Sequence, residues 1–211
     1  MELDIETYSF DDYIIEQSRN DRKPRLEIYR APTTAVVLGK GSKPEVELNL
    51  EACARDEIPI LKRHGGGCAV VIDPGNVIVS LVLPTEGITG SRMYFDRISK
   101  WLIGKLADVG IADVYQDGIS DLVMDDRKIG GSSIQRSKDH LYYSSTLLVE
   151  PRLDLIDKYL KHPPREPEYR RGRSHREFLG RLQIQVHGDG VEWLVGKLRN
   201  LIVESELRLL L

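Results

Sequence analysis

The chain has 211 residues, 41% hydrophobic and 30% charged, the proportions of an ordinary globular protein that buries a core, with room for one large domain or one domain and a small appendage. Its formal net charge of −3 gives no electrostatic case for nucleic acid, which shows as a basic domain. Two cysteines, Cys53 and Cys68, are too few for a disulfide scaffold and fit a reducing compartment. The acidic start MELDIETYSFDDYIIEQ is unlike a cationic secretory signal, and no run reaches the ~18 apolar residues that span a bilayer. The expectation is a cytoplasmic protein with no membrane and no nucleic-acid partner.

SFDDYIIEQSR (9–19) reads as a short helix with Ser9 as its N-cap. RLEIYR (25–30) and TAVVLG (34–39) are β-rich and separated by a turn at Ala31-Pro32. PEVELNLEACARDE (44–57) places Val46, Leu50 and Cys53 at helical spacing, with Pro44 suited to a first turn. IPILKR (58–63) is a strand ending at three glycines, and CAVVID (68–73) with NVIVSLVL (76–83), joined across Pro74-Gly75, reads as a hairpin. The nearly continuous apolar character of these two strands predicts that both faces are covered. MYFDRISKWLIGKLADVG (93–110) is a helix striped by Tyr94, Ile98, Leu102 and Leu106 and stopped at Gly110. Strand candidates ADVYQD, SDLVMD, RKIGGSSIQR and HLYYSSTLLVE follow, with Tyr142 and Tyr143 on opposite faces of the last. A polar, basic, Pro-rich segment occupies 161–178, and a helix spans 191–207. Strands clustered in the middle and helices at intervals predict an α+β fold, a central mixed β-sheet with packed helices. The whole of 1–211 reads as one domain.

Two constellations carry chemistry. In RHGGGCAVVIDPG (63–75), a strand, a bare glycine turn and another strand can present backbone N–H groups to an anion, and Arg63 adds a planar donor fork. A tight turn between strands is the plainer alternative. The stretch matches neither G-x-x-x-x-G-K-[ST] nor a dinucleotide fingerprint, because Cys68 and a strand follow the glycines. In SDLVMDDRKIGGSS (120–133), Asp121 can hold a magnesium ion, and Lys128 precedes Gly130-Gly131. A lysine beside glycine amides can neutralise a carboxylate and a phosphate together, the need of acyl-adenylate formation. Here the alternative is a hairpin turned at DDRK with Lys128 a surface charge. The five histidines show no metal-ligand spacing.

Three blocks, in order, resemble the lipoate–protein ligase family, whose catalytic fold is shared with biotin–protein ligases and octanoyl transferases. VVLGKGSKPEVELN (36–49) is similar to the family's early strand, with Pro44, Glu47 and Asn49 at its offsets. KRHGGGCAVVIDPGN (62–76) resembles its Arg-Arg-x-x-Gly-Gly-x-Ala-Val-x-His-Asp-x-Gly signature, and 120–148 resembles its Asn-Asp-Leu, Lys-x-x-Gly and Gly-Thr-Leu-Leu blocks. Lys62, Ile72, Ser120 and Ser144-Ser145 depart from the family residues at their positions.

The resemblance implies a biotin/lipoate ligase-type fold and an enzyme that forms lipoyl-AMP from ATP, Mg2+ and lipoate, then passes the lipoyl group to a lysine of a carrier. Lys128 is the implied catalytic residue and Asp121 the metal residue. Arg63, Gly65, Gly66, Gly67, Cys68, Ala69, Gly131, Ser132 and Ser133 would line the lipoate and acyl-AMP pocket. Arg173, Ser174 and Arg176 would sit in a loop closing on the adenylate. The implied partner is a lipoyl domain, a glycine-cleavage H-protein-like carrier or a stand-alone lipoate-binding protein, with a separate accessory subunit as a further partner. A thioester-forming transferase using Cys68 and a non-catalytic lipoate binder are the alternatives.

Overall fold

The computed structural model describes residues 3–88, 90–186 and 188–211, so Met1, Glu2, Thr89 and His187 lie outside the described residues. The first half of the chain forms β1 (Glu6–Thr7), α1 (Asp12–Asp21), β2 (Arg25–Arg30), β3 (Ala35–Leu38), α2 (Pro44–Glu47), α3 (Leu50–Arg55), β4 (Ile60–Lys62), β5 (Val70–Ile72) and β6 (Asn76–Leu83). The second half forms α4 (Ser91–Asp108), β7 (Tyr115–Asp117), β8 (Asp121–Met124), β9 (Arg127–Arg136), β10 (Leu141–Leu148), α5 (Leu153–Tyr159), α6 (His175–Phe178), α7 (Gly190–Leu201) and α8 (Glu204–Leu207). The described strands make a six-stranded sheet ordered β2-β6-β10-β9-β8-β7 and a four-stranded sheet ordered β1-β4-β3-β5. Every pairing in the larger sheet is antiparallel, whereas the smaller one mixes parallel and antiparallel neighbours. The architecture is the expected α+β. No described helix is long and apolar enough to cross a membrane.

Strand alternation assigns each face of the larger sheet a separate core. On one face Val77, Val79, Leu81 and Leu83 of β6 meet Leu141, Tyr143 and Leu147 of β10 beneath α4 and α7. The stripe of α4 there, Ile98, Leu102 and Leu106, is fully withdrawn from solvent, and each such side chain contributes about 1.5–3 kcal/mol of apolar transfer. On the other face Ile78 joins Val37, Leu61 and Ile72 of the smaller sheet, and Val82 and Tyr142 take Ile14 and Ile15 of α1. All eight residues of β6 are therefore buried, as its continuous apolar run predicts.

Four expectations are corrected. β5 and β6 are not a hairpin: β5 pairs with β3 and β6 with β2 and β10, so the chain changes sheets at Pro74-Gly75. Asp73 organises the switch, its carboxylate accepting from Gly75 N at 2.7 Å and Arg152 N at 3.0 Å, while the Gly75 carbonyl accepts from Val149 and Glu150 N. The single helix expected over 44–57 breaks at Leu48-Asn49, because the Asn49 side chain accepts from Ala52 N and starts a new helix as its N-cap. The helix expected over 191–207 likewise breaks at Ile202-Val203, both extended, where two β-branched side chains in succession favour strand-like backbone. α1 starts after Asp11 rather than at Ser9.

The sheet switch leaves no space at Gly75, where a Cβ would overlap the Glu150 carbonyl oxygen. Gly75→Ala is expected to lower stability in urea by about 1–3 kcal/mol at unchanged slope. Gly104, exposed on α4 with nothing near its Cβ position, is expected to give the opposite sign, Gly104→Ala raising stability by about 0.5–1 kcal/mol.

Candidate active site

β8 and β9 form a hairpin turned at Asp125-Asp126, both left-handed with φ of 51° and 58°, the geometry that matches the twist of paired strands. Beyond the turn the register slips: Val123 faces Lys128, but Leu122 faces Gly130. Ile129 is thus one residue too many. In an unbroken strand Lys128 and Gly131 would point to opposite faces; the bulge returns them to the same one. Lys128 lies flat over Gly131, where a Cβ would sit 2.9 Å from both its Cε and its Nζ. From there Nζ pairs with Asp121 Oδ1 at 2.8 Å, the two side chains being only 26% and 16% exposed. The second carboxylate oxygen accepts from the Tyr169 hydroxyl at 2.9 Å. Burial and the adjacent Asp121 push the Tyr169 hydroxyl far above its ordinary pKa, so it stays a neutral donor.

Residues 63–69 link β4 to β5 and lie over the same face. Gly65 rests on β9, where a Cβ would approach Ser133 Oγ to 2.5 Å, and Gly67 has a φ of 94° that side chains rarely adopt. Gly66 is exposed. Arg63 runs along the loop and braces it, donating to the carbonyls of Val37 at 3.1 Å, Gly66 at 2.6 Å and Cys68 at 2.9 Å. Burial draws its pKa down to about 10. At the far end Ala69 N donates to Glu47 Oε2 at 2.6 Å, and the buried Glu47 also accepts from Ser42 Oγ and Lys43 N. Half-buried Cys68 directs Sγ to the Arg165 carbonyl, 3.8 Å away.

The segment after α5 closes over both parts. Gly180 N donates to the Lys128 carbonyl at 2.8 Å, and Leu179 bridges to Lys128 as a parallel strand would. Arg173 donates to the Asp126 carbonyl at 2.9 Å and to that of Tyr169 at 2.8 Å.

Lys128, Asp121, Gly131, Ser133 and the 63–69 loop are therefore brought together. Ser132 is not: it alternates to the other face, opposite Ser145, where its hydroxyl is buried on the helix-covered side with no hydrogen-bond partner among the described residues. That corrects its place in the pocket. Ser174 is engaged as the N-cap of α6, in a capping box with Glu177, and Arg176 reaches away to Asp157 on α5 at 2.5 Å. Sequence reasoning passed over Tyr169, which sits in a 3-10 turn (Glu168–Arg170) with no hydrophobic period to mark it. It gave Glu47 only a place in a block, without the contact to Ala69. Chemically, the site offers one cation against one carboxylate beneath a loop of nearly bare backbone.

Residues 5–194 match the family model described as the lipoyl protein ligase A/B catalytic domain. A lipoate–protein ligase of Streptococcus pyogenes is 29% identical over 148 residues, 70% of this chain and 43% of that protein. Lipoate–protein ligase 2 of Staphylococcus aureus is 27% identical over 185 residues, 87% of this chain and 51% of its own. The chain thus spans about half the length of the curated relatives it matches. In fold it is similar to the bi-partite lipoate protein ligase of Thermoplasma acidophilum, from a structural study that includes its E2 lipoyl domain, with a TM-score of 0.73 at 23% identity, covering 94% of this chain and 83% of that one. It is similar too to a lipoate-protein ligase A bound with ATP, with a TM-score of 0.71 at 22% identity, covering 92% and 83%. With nine-tenths of its length inside the family model, the chain belongs to the lipoyl protein ligase A/B catalytic domain family.

Proposed function

We propose that this chain catalyses ATP-dependent lipoylation: formation of lipoyl-AMP, then transfer of the lipoyl group to a carrier lysine. The observation that carries the reading is the Lys128–Asp121 pair, set over Gly131 and under the glycine loop. In the first step a carboxylate oxygen of lipoate attacks the α-phosphorus of ATP, and the bond to the bridging oxygen breaks to release pyrophosphate. Negative charge grows between carboxylate and α-phosphate, within reach of Lys128 Nζ, and a fixed cation in an enclosed site is worth most where charge develops. In the second step the carrier's ε-amine attacks the acyl carbonyl, AMP leaves, and the amine gives up a proton as the amide forms.

Among the described residues no group of three or more His, Cys, Asp or Glu could hold a metal. Magnesium fits this set only in its usual manner with nucleotides, on one carboxylate and the phosphate oxygens. Asp121 would be that carboxylate, and the ion would supply charge neutralisation of the phosphates. A lipoyl domain is the favoured acceptor, since the Thermoplasma ligase was studied with one; an H-protein-like or stand-alone carrier, an accessory subunit and a cytoplasmic setting belong to the same reading. The thioester route lacks support, because Cys68 Sγ meets a carbonyl rather than a base.

The test is pyrophosphate release from magnesium-ATP and lipoate without acceptor. Lys128→Ala is expected to lower its rate by about 100- to 1,000-fold with an unchanged circular dichroism spectrum; normal release by that variant refutes the assignment. Gly131→Ala displaces the flexible end of Lys128 rather than backbone, so stability should hold within about 1 kcal/mol while misplacement of the amine slows release by about 100-fold. Chemical unfolding and the same assay separate the two effects.

A further inference from the structure

Between 161 and 182 the chain carries seven basic side chains against three acidic ones, yet most of the central arginines are already engaged. Arg176 is 65% exposed and paired with Asp157. Arg173 is committed to the carbonyls of Asp126, Tyr169 and Arg170. Arg170 differs. Only 4% of it reaches solvent, its Nε donates to the Arg173 carbonyl at 3.0 Å and faces Glu166 at 3.4 Å, and its Nη2 is buried with no partner among the described residues. The guanidinium lies over the Phe178 ring, 4.8 Å from its centroid, a contact that fixes its plane. A buried donor with no acceptor costs about 1–3 kcal/mol, and folded proteins rarely leave one unmet.

The position of Arg170 says what would meet it. Its neighbour Tyr169 holds Asp121, the partner of Lys128. The same segment touches the glycine loop at Arg165, whose carbonyl lies 3.8 Å from Cys68 Sγ, and the adjacent Glu166 faces Arg170. The segment therefore spans the two halves of the site, Tyr169 at Asp121 and Arg165 at the glycines, with Arg170 linked to both through its neighbour Tyr169 and through Glu166. We propose that Arg170 is the anion-binding arginine of the closing segment, its free Nη2 donating to a phosphate or carboxylate oxygen of the ligand held over Lys128. This rests on the ligase reading above. A planar donor fork is the group best matched to such an oxyanion, and burial, which also draws the Arg170 pKa down, leaves it little solvation to lose on binding.

The experiment uses the full chain with Arg170→Met, which keeps an apolar stem against Phe178, and Arg170→Lys, which keeps charge without the fork. Calorimetric titrations with AMP alone and with lipoate alone are run beside the pyrophosphate assay and thermal unfolding. The expected result is at least tenfold weaker binding of one probe by Arg170→Met, partial recovery in Arg170→Lys, and a thermal midpoint equal to or above that of the parent, since an unmet buried donor has gone. Weakening confined to AMP identifies a phosphate, weakening confined to lipoate a carboxylate, and weakening of both a position between them. Unchanged binding of both probes overturns the proposal, as does a loss of binding that tracks a lower midpoint, which marks a structural role. A parent chain that binds either probe but releases no lipoate-dependent pyrophosphate fails the ligase reading while still deciding the role of Arg170. A parent that binds neither overturns both.

Discussion

A single surplus residue in β9 sets the geometry on which the candidate site depends. Ile129 and Gly130 both lie against Leu122 on the helix-covered side of the larger sheet, so the next residue toward the turn, Lys128, emerges on the opposite side. Removing the slip would turn Lys128 into the apolar core beneath α4, and an unpaired buried ammonium costs several kcal/mol. Ile129, 1% exposed, is thus a core residue whose packing fixes the direction of a charged one. The bulge and the hydrophobic core hold each other in place: the core accepts Ile129 only in the register that sends Lys128 to Asp121.

The glycine loop is held by the same economy of buried charge. Bare backbone has no side chains with which to anchor itself, so the anchors come from outside: Arg63 gathers three carbonyls, and Glu47 takes the Ala69 amide. A buried charge supports structure only where its hydrogen-bonding capacity is filled, and both are filled by backbone or by short polar neighbours. α1 is tied to the sheet beside the loop in a similar way. The carboxylate of Asp11, fully buried, accepts from Ser80, Tyr29 and Tyr142; burial pushes its pKa up and those hydroxyls draw it back. The next residue, Asp12, reaches His64 in the loop at 3.3 Å.

Local pattern carried much of this into the sequence. The uninterrupted apolar run of β6, the stripe of α4 with its glycine stop, and the acidic two-residue turn before Lys128 each express physics that acts over a few residues. What stayed hidden acts over longer distances. Pro74-Gly75 has the composition of a hairpin turn, and only the backbone of Glu150, far along the chain, turns it into a passage between sheets. Gly131, Ser132 and Ser133 read as one block, but strand alternation divides them between a site and a core. The bulge at Ile129 leaves no mark, because an isoleucine suits a regular strand as well as an irregular one. Tyr169 meets Asp121 across 48 positions, through a turn without periodicity.

The closing segment follows a different rule from the sheets beneath it. To its apolar packing it adds polar contacts with the site: Tyr169 to Asp121, Arg173 to the Asp126 carbonyl, Gly180 N to the Lys128 carbonyl. Hydrogen bonds to charged groups contribute about 1.5–3 kcal/mol each and neutral ones about 0.5–1.5 kcal/mol, so releasing one or two is a small change beside unfolding. Apolar anchors at Phe178, Leu179 and Leu182, all buried, keep the C-terminal part of the segment in register with β9. Polar and apolar contacts thus coincide beside Lys128, and farther back the Arg165 carbonyl meets Cys68 Sγ of the glycine loop at 3.8 Å. Tyr169 packs in the same apolar cluster as Phe178, Leu179 and Val123 of β8, so the turn that grips Asp121 and the hairpin that carries it are fixed together.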